Sequence, residues 1–356
     1  MTPVKYSHEA NFDELRRVLL RQGEIGRVPV MEMLVDREII ASVMGVPAAE
    51  PRDRIEEARW TQMQVQMWTD LGADAISMRP IYNLPFGREA ADDTAGLSRG
   101  KREWATMHAG LIRNWEEFEQ YPWPDPATYD YSQIELAGRI MPPGMKVFGY
   151  IRGVLEPTMW IMSYEAFALA LYDQPDLVKA VSDKVAEIHV PMARTLLDME
   201  WVGGLWGSDD MGFRTGTLAS PQHLREYVLP HHRRLAQLSH DAGKLYLLHS
   251  CGNLLAIMDD LIDDVRIDGK HSYEDAILPV ADFKKRFGHR ISVLGGIDVD
   301  VLARRSEDEV RAYVRRVLDE VMPGGGYVLG SGNSVANYVP VRNFLAMVDE
   351  GHRWRA

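Results

Sequence analysis

Eight short apolar runs recur along this chain, most of them separated by segments of helical period, and that alternation limits its fold more than any other feature. The runs fall at 28–33, 73–78, 146–152, 202–208, 244–249, 266–271, 291–295 and 326–330. Between them, 225–242 sets Leu229, Leu235 and Leu238 among charged residues. The segment 307–321 places Val310, Val314, Val317 and Val321 on one helix face. Ser220-Pro221 supplies an N-cap followed by a proline at the first helical position, and Asp176 and Ser306 are positioned to cap other helices. Strand–helix alternation repeated eight times predicts an α/β fold, a closed parallel (β/α)8 TIM-type barrel spanning 1–356 as one domain. The stretch 79–143, with YPWPDPATYD at its middle, shows no clear strand and is expected to form an excursion over the barrel mouth.

The chain has 356 residues, enough to bury a large core. Its 40 basic and 52 acidic residues give a net charge of −12, and no basic run offsets it, which argues against nucleic-acid or anionic-membrane partners. No uninterrupted apolar segment approaches about 18 residues, and the N-terminus lacks a long apolar core, so a cytoplasmic protein acting on a small molecule is expected. The single cysteine excludes an intrachain disulfide and any metal site built on thiolates alone.

In a TIM-type barrel the strand C-termini carry the chemistry. There this chain places Glu32, Arg79, Arg152, Glu156, Asp209, Asp210, His249, Cys251, Lys270, His271, Glu274, Asp298, Ser331 and Asn333. The stretch LYLLHSCGN puts His249 and Cys251 two residues apart at a strand end, where extended geometry projects both to one side. Imidazole, thiolate and carboxylate together suit zinc, and three protein ligands leave a position open for a reactant. The third ligand stays open among His271, Glu274, Asp209 and Asp210. Adjacent carboxylates at Asp209 and Asp210 raise the pKa of one of them and suit acid–base work, Asp210 being the better candidate. Lys270, His271 and Glu274 form a second dense group with catalytic potential. Glu32, Arg79, Arg152, Asp209 and Asn333 are candidate substrate contacts. The glycine runs Gly295-Gly296 and Gly324-Gly325-Gly326 match no nucleotide-binding pattern and suit turns with positive φ.

The order GSDDMGFRTGTLASPQHLREYVLPHHRRL, LLHSCGN, IDGKHSYED, LGGID and GGGYVLGSGN resembles the uroporphyrinogen decarboxylase superfamily, well from about residue 147 onward and loosely before it. The resemblance implies a distorted (β/α)8 barrel and either decarboxylation or zinc-dependent methyl transfer between a corrinoid protein and a thiol or other acceptor. The decarboxylase pattern is broken here: RVPVMEMLVDREII has Leu34 and Glu38 where two substrate-binding arginines are expected, with Arg37 out of register. Arg79 and Pro80 stand where an aspartate is expected. The methyltransferase pattern of His-x-Cys is met by His249 and Cys251, but Ser331 stands where a second cysteine is expected. The leading expectation is therefore zinc-assisted methyl transfer, with zinc at His249 and Cys251, a corrinoid carried by a partner protein, and a homodimer as the default assembly. A second reading is a metal-independent decarboxylase or lyase using Asp210, Lys270 and His271, with Arg79 and Arg152 recognising a carboxylate. A third is a ligand- or corrinoid-partner-binding barrel without turnover.

Overall fold

The computed structural model describes residues 5, 6 and 8–355. Among the described residues, nine strands follow in chain order: β1 (Ala75–Met78), β2 (Arg88–Asp92), β3 (Lys101–Ala105), β4 (Lys146–Arg152), β5 (Val202–Ser208), β6 (Leu245–His249), β7 (Gly269–His271), β8 (Ser292–Leu294) and β9 (Tyr327–Val328). Seven of them pair in the order β1-β4-β5-β6-β7-β8-β9, all parallel, and helices join most of them. This is the α/β strand–helix alternation that the apolar runs predict. The run at 28–33 contributes less than a strand. Val30 forms one parallel bridge with Leu329, the Met31 amide donates to the Leu329 carbonyl, and the Leu329 amide donates to Pro29. Pro29 has no N–H to give, so it interrupts the ladder there.

Side chains alternate across the sheet with period two, and the two faces feed separate apolar clusters. Phe148, Tyr150, Trp206, Leu245, Leu247, Leu294 and Val328 face inward with Phe12, Leu15, Val18 and Leu19 of the helix Phe12–Leu19. Val147, Ile151, Leu205, Tyr246, Leu248, Val293 and Tyr327 face outward into the helical layer. The helix Phe12–Leu19 plugs the end of the sheet from which the strands start. The Ser292 hydroxyl donates to the Leu19 carbonyl at 2.7 Å, and a Cβ on Gly203 would lie 2.2 Å from the Phe12 ring, so only glycine fits there. Asp74, buried, accepts from the Asn11 amide at 2.9 Å and pairs with Arg27 at 2.8 Å, fixing the entry to that helix.

Several expectations need correction. The helix expected over 225–242 is two helices, Pro221–Tyr227 and Leu229–Asp241, parted at Val228. Pro230 is the cause: it lacks the donor for a continuing helix, and its ring would meet the Glu226 carbonyl. Asp176 lies inside the helix Pro175–Asp198, whose N-cap is Gln174, whereas Ser306 caps Glu307–Val321 in a reciprocal capping box with Glu309. The stretch 79–143 does contain strands. β2 and β3 form an antiparallel hairpin, and β2 is exposed throughout, so no apolar alternation marks it in sequence. The hairpin loop is tied to the segments that follow Val28–Met33 and β9: Arg99 pairs with Asp36 and Glu38 at 2.7 and 2.8 Å, and Asn337 donates to Asp93 at 2.6 Å.

Phe12→Ala should lower unfolding free energy by about 3–5 kcal/mol, read from the denaturant midpoint, because the plug cannot collapse into the space left. A loss under about 1 kcal/mol would show that the plug is not part of the inner core.

Candidate functional site

Register places Arg152, Ser208, His249 and His271 side by side at the ends of β4, β5, β6 and β7. All four side chains therefore share the inward face, one layer above Tyr150, Trp206 and Leu247. Just past these ends the chain turns inward. The Asp209 amide donates to the His249 carbonyl at 3.0 Å, and the Ser250 amide to the His271 carbonyl at 2.7 Å. The Cys251 amide donates to Asp210 Oδ1 at 2.8 Å, which draws the loops after β5 and β6 together. As a result the donor atoms of Asp210, His249 and Cys251 lie within 4.8 Å of one another. His249 Nε2 is 3.4 Å from Cys251 Sγ and 3.3 Å from Asp210 Oδ1.

The proton positions behind this cluster follow from one carbonyl. His271 Nε2 is 3.0 Å from the Ser331 carbonyl oxygen, which can only accept, so Nε2 carries the proton. Burial first, and His249 second, push the His271 pKa well below its ordinary value, so the ring is neutral and Nδ1 is an acceptor. His249 Nδ1, 2.8 Å away, must then donate to it. In the neutral tautomer with the proton on Nδ1, the lone pair of His249 Nε2 faces Asp210 and Cys251. Three electron-rich atoms converge on one point, an arrangement that a shared cation satisfies. Asn333 Nδ2 at 3.1 Å and Ser272 Oγ at 3.6 Å donate to the Cys251 sulfur. Burial, then the charge of Asp210, pushes the free thiol well above its ordinary pKa, so the thiolate forms only with a cation beside it.

Two further carboxyls border the cluster. Glu156 is pushed up to about 8 by burial and then by the charges of Asp210 and Asp209, with Arg152 opposing. Glu32, 3 % exposed, is also pushed up to about 8 by burial, against hydrogen bonds from Ser331. Proton counting agrees for Glu32. The Ser331 hydroxyl has one hydrogen and two acceptors, Glu32 Oε2 at 2.7 Å and the Asn333 carbonyl at 2.8 Å. Both contacts are satisfied when Glu32 carries the second proton.

The model of the family described as uroporphyrinogen decarboxylase (URO-D) matches residues 60–354. This chain belongs to the URO-D family. The methylcobamide:CoM methyltransferase MtaA of Methanosarcina barkeri is 24 % identical over 220 residues, 60 % of each chain. A uroporphyrinogen decarboxylase of Geobacter sulfurreducens is 25 % identical over 189 residues, 51 % of each. The matches thus span between half and three-fifths of these relatives. A solved structure titled as a methyltransferase from Methanosarcina mazei aligns with a TM-score of 0.69 at 18 % identity, over 97 % of this chain and 99 % of that one, and shares its fold.

Within this URO-D frame the residues singled out in the sequence separate by position. Asp210, His249 and Cys251 come together, with His271 behind His249 and Asn333 against the sulfur. Ser331, at the position expected to hold a second cysteine, turns its hydroxyl to Glu32 instead. Asp209 is fully buried and accepts from the amides of Val154, Leu155 and Glu156 at 2.8–3.0 Å and pairs with His232 at 3.0 Å. It anchors the start of the helix Leu155–Met162, and a Cβ on Gly153 would strike it at 2.2 Å. Lys270 neighbours His271 in sequence and so faces the other way. Its ammonium lies 4.4 Å from the Tyr273 ring, in the helical layer, and burial pushes its pKa down to about 8. Glu274 is exposed and borders the cavity beside Lys270. Arg79 and Arg152 line a different cavity, of about 280 Å³. Sequence reasoning placed Glu156 at a strand end and gave it no role. Its proximity to Asp209 and Asp210 is long-range, and only the apolar VLEP context hinted at burial.

Glu32 and Glu156 each bind a proton in the native state that the unfolded chain releases from about 4.5 upward. Stability is therefore lost as pH rises from about 4.5 through about 8, and levels off above. Glu32→Gln should flatten that decline in chemical denaturation series run between pH 5 and 9, and an unchanged slope would mean that Glu32 is ionised. The adjacent aspartates should part in the same assay. Asp209→Ala, leaving three amides and His232 without their acceptor, should cost about 3–5 kcal/mol, and Asp210→Asn about 1 kcal/mol or less.

Proposed function

We propose that this chain is a methyltransferase of the URO-D family that holds a zinc ion on Asp210, His249 and Cys251. The observation that supports this most is the convergence of three donor atoms of different kinds, with the His249 lone pair aimed among them by His271 and the Ser331 carbonyl. A nitrogen, a sulfur and an oxygen ligand make a set that zinc accepts, with a fourth position left for a methyl acceptor. When bound, zinc lowers the pKa of an acceptor thiol or water, so that the nucleophile exists at neutral pH.

The chain's own residues do the rest. His271 orients His249 and keeps its Nδ1 protonated. Asn333 and Ser272 donate to the Cys251 sulfur and keep it turned toward the cluster. Glu156, beside Asp210 and protonated near neutrality, is placed to exchange a proton with the acceptor. The MtaA relative is named for methyl transfer from a methylcobamide, and the same donor class, a corrinoid carried by a partner protein, is our reading here. Haem-pathway decarboxylation is disfavoured. Asp36 and Glu38 lie in the stretch expected to hold arginines for substrate carboxylates, and both are paired with Arg99.

Metal analysis by plasma mass spectrometry should find about one zinc per chain, and far less in His249→Ala, Cys251→Ser and Asp210→Asn. His271→Ala, which frees the His249 ring, should weaken zinc binding by about 10–100-fold. A wild-type chain that stays metal-free after reconstitution would overturn this reading and favour metal-independent acid–base chemistry at Asp210 and Glu156.

A further inference from the structure

Among the described residues neither Arg79 nor Arg152 forms an ion pair. Arg152 ends β4 and Arg79 follows β1, both on inward-facing positions of the register. No carboxylate among the described residues forms an ion pair with either guanidinium, whereas Arg88 beside them pairs with Glu103 at 3.3 Å. Arg152 is the more constrained. Its guanidinium lies 4.4 Å from the Trp160 ring and 5.8 Å from the Tyr150 ring, so π faces hold the plane, with the Tyr82 hydroxyl beside it. The guanidinium is half-buried beside these rings, and a bound anion would add a charge-assisted pair to what they already give it.

Both arginines line one cavity of about 280 Å³, walled by Tyr82, Phe86, Tyr150 and Trp160. Phe86 and Trp160 stand 5.3 Å apart with their planes 34° from parallel, and Tyr82 is steadied by His189 at 3.1 Å. Walls of this kind offer an aromatic face to a flat apolar body, and a guanidinium binds a carboxylate in bidentate fashion. Only Ser208 of β5 separates Arg152 from His249 in the register row, so their Cα atoms are two strand spacings apart, roughly 10 Å. Glu156 is within electrostatic reach of Arg152 and Asp210 alike. That distance suits one small molecule held at both ends.

We propose that Arg79 and Arg152, with the aromatic walls beside them, bind the carboxylate end of a small aromatic acid, whose reacting heteroatom points toward Asp210, His249 and Cys251. The orientation of the heteroatom rests on the methyltransferase reading; the carboxylate site does not.

Calorimetric titration of the full chain with benzoate, benzamide and cyclohexanecarboxylate separates the contributions of charge and ring. Benzoate should bind at least about tenfold more tightly than either of the others, by the worth of a charge-assisted pair and of an aromatic contact respectively. Arg152→Lys and Arg79→Met should each weaken benzoate by about tenfold and leave benzamide within about twofold. Arg79 is exposed, so its variant keeps the test open should the half-buried Arg152 variant fold poorly. Equal binding of benzoate and benzamide, equal binding of benzoate and cyclohexanecarboxylate, or unchanged benzoate affinity in Arg79→Met would overturn the proposal. The titration is repeated after exhaustive dialysis against EDTA. Unchanged benzoate affinity is expected even if no zinc is ever found, whereas its loss on dialysis would place the carboxylate on the metal and overturn the carboxylate site.

Discussion

Ser331 joins three parts of the barrel that regular pairing leaves weakly connected. Its amide and hydroxyl hold Glu32, which follows Val30 in a segment that makes only one ladder bridge. Its carbonyl holds His271 at the end of β7. Because a carbonyl cannot donate, that last contact fixes the proton on His271, then the one on His249, and so the direction of the lone pair at the metal-ligand cluster. Removing the His271 ring would break this relay while leaving Asp210, His249 and Cys251 in place.

Electrostatics at the strand ends is arranged by burial as much as by pairing. The chain carries twelve more formal negative charges than positive ones. Yet at its centre burial raises the pKa of both Glu32 and Glu156, and a protonated Glu156 limits the negative charge gathered around Asp210. Asp209 serves a different purpose from its neighbour. Three amides and His232 use up its oxygens, so it contributes position and not reactivity. Two adjacent residues of identical chemistry thus divide into a framework anion and a site anion.

The sequence made the barrel strands legible because the inner face and outer face both had to be filled. β4 and β5 lie at 146–152 and 202–208 as the apolar runs predict, and the helix Glu307–Val321 follows its valine spacing. What escaped depended on contacts remote in sequence. The exposed β2–β3 hairpin buries no face and leaves no periodic trace. The grouping of Asp210 with Cys251, 41 positions on, follows from a loop hydrogen bond that no spacing encodes. For Lys270 the sequence suffices: next to His271 in an extended strand, it cannot share His271's face. The candidate site was therefore legible as a set of residue types at strand ends, and its membership required the register.

The helix Phe12–Leu19 stoppers one end of the barrel with Phe12, Leu15, Val18 and Leu19. The cluster at the other end is consequently approached from the side of the strand ends and not through the plugged end. For a reaction with two large participants, occupancy becomes a queue. The reactant seated against the strand ends must arrive before the one that covers it and leave after it, which imposes an order of binding and release on the kinetics before any chemistry is considered.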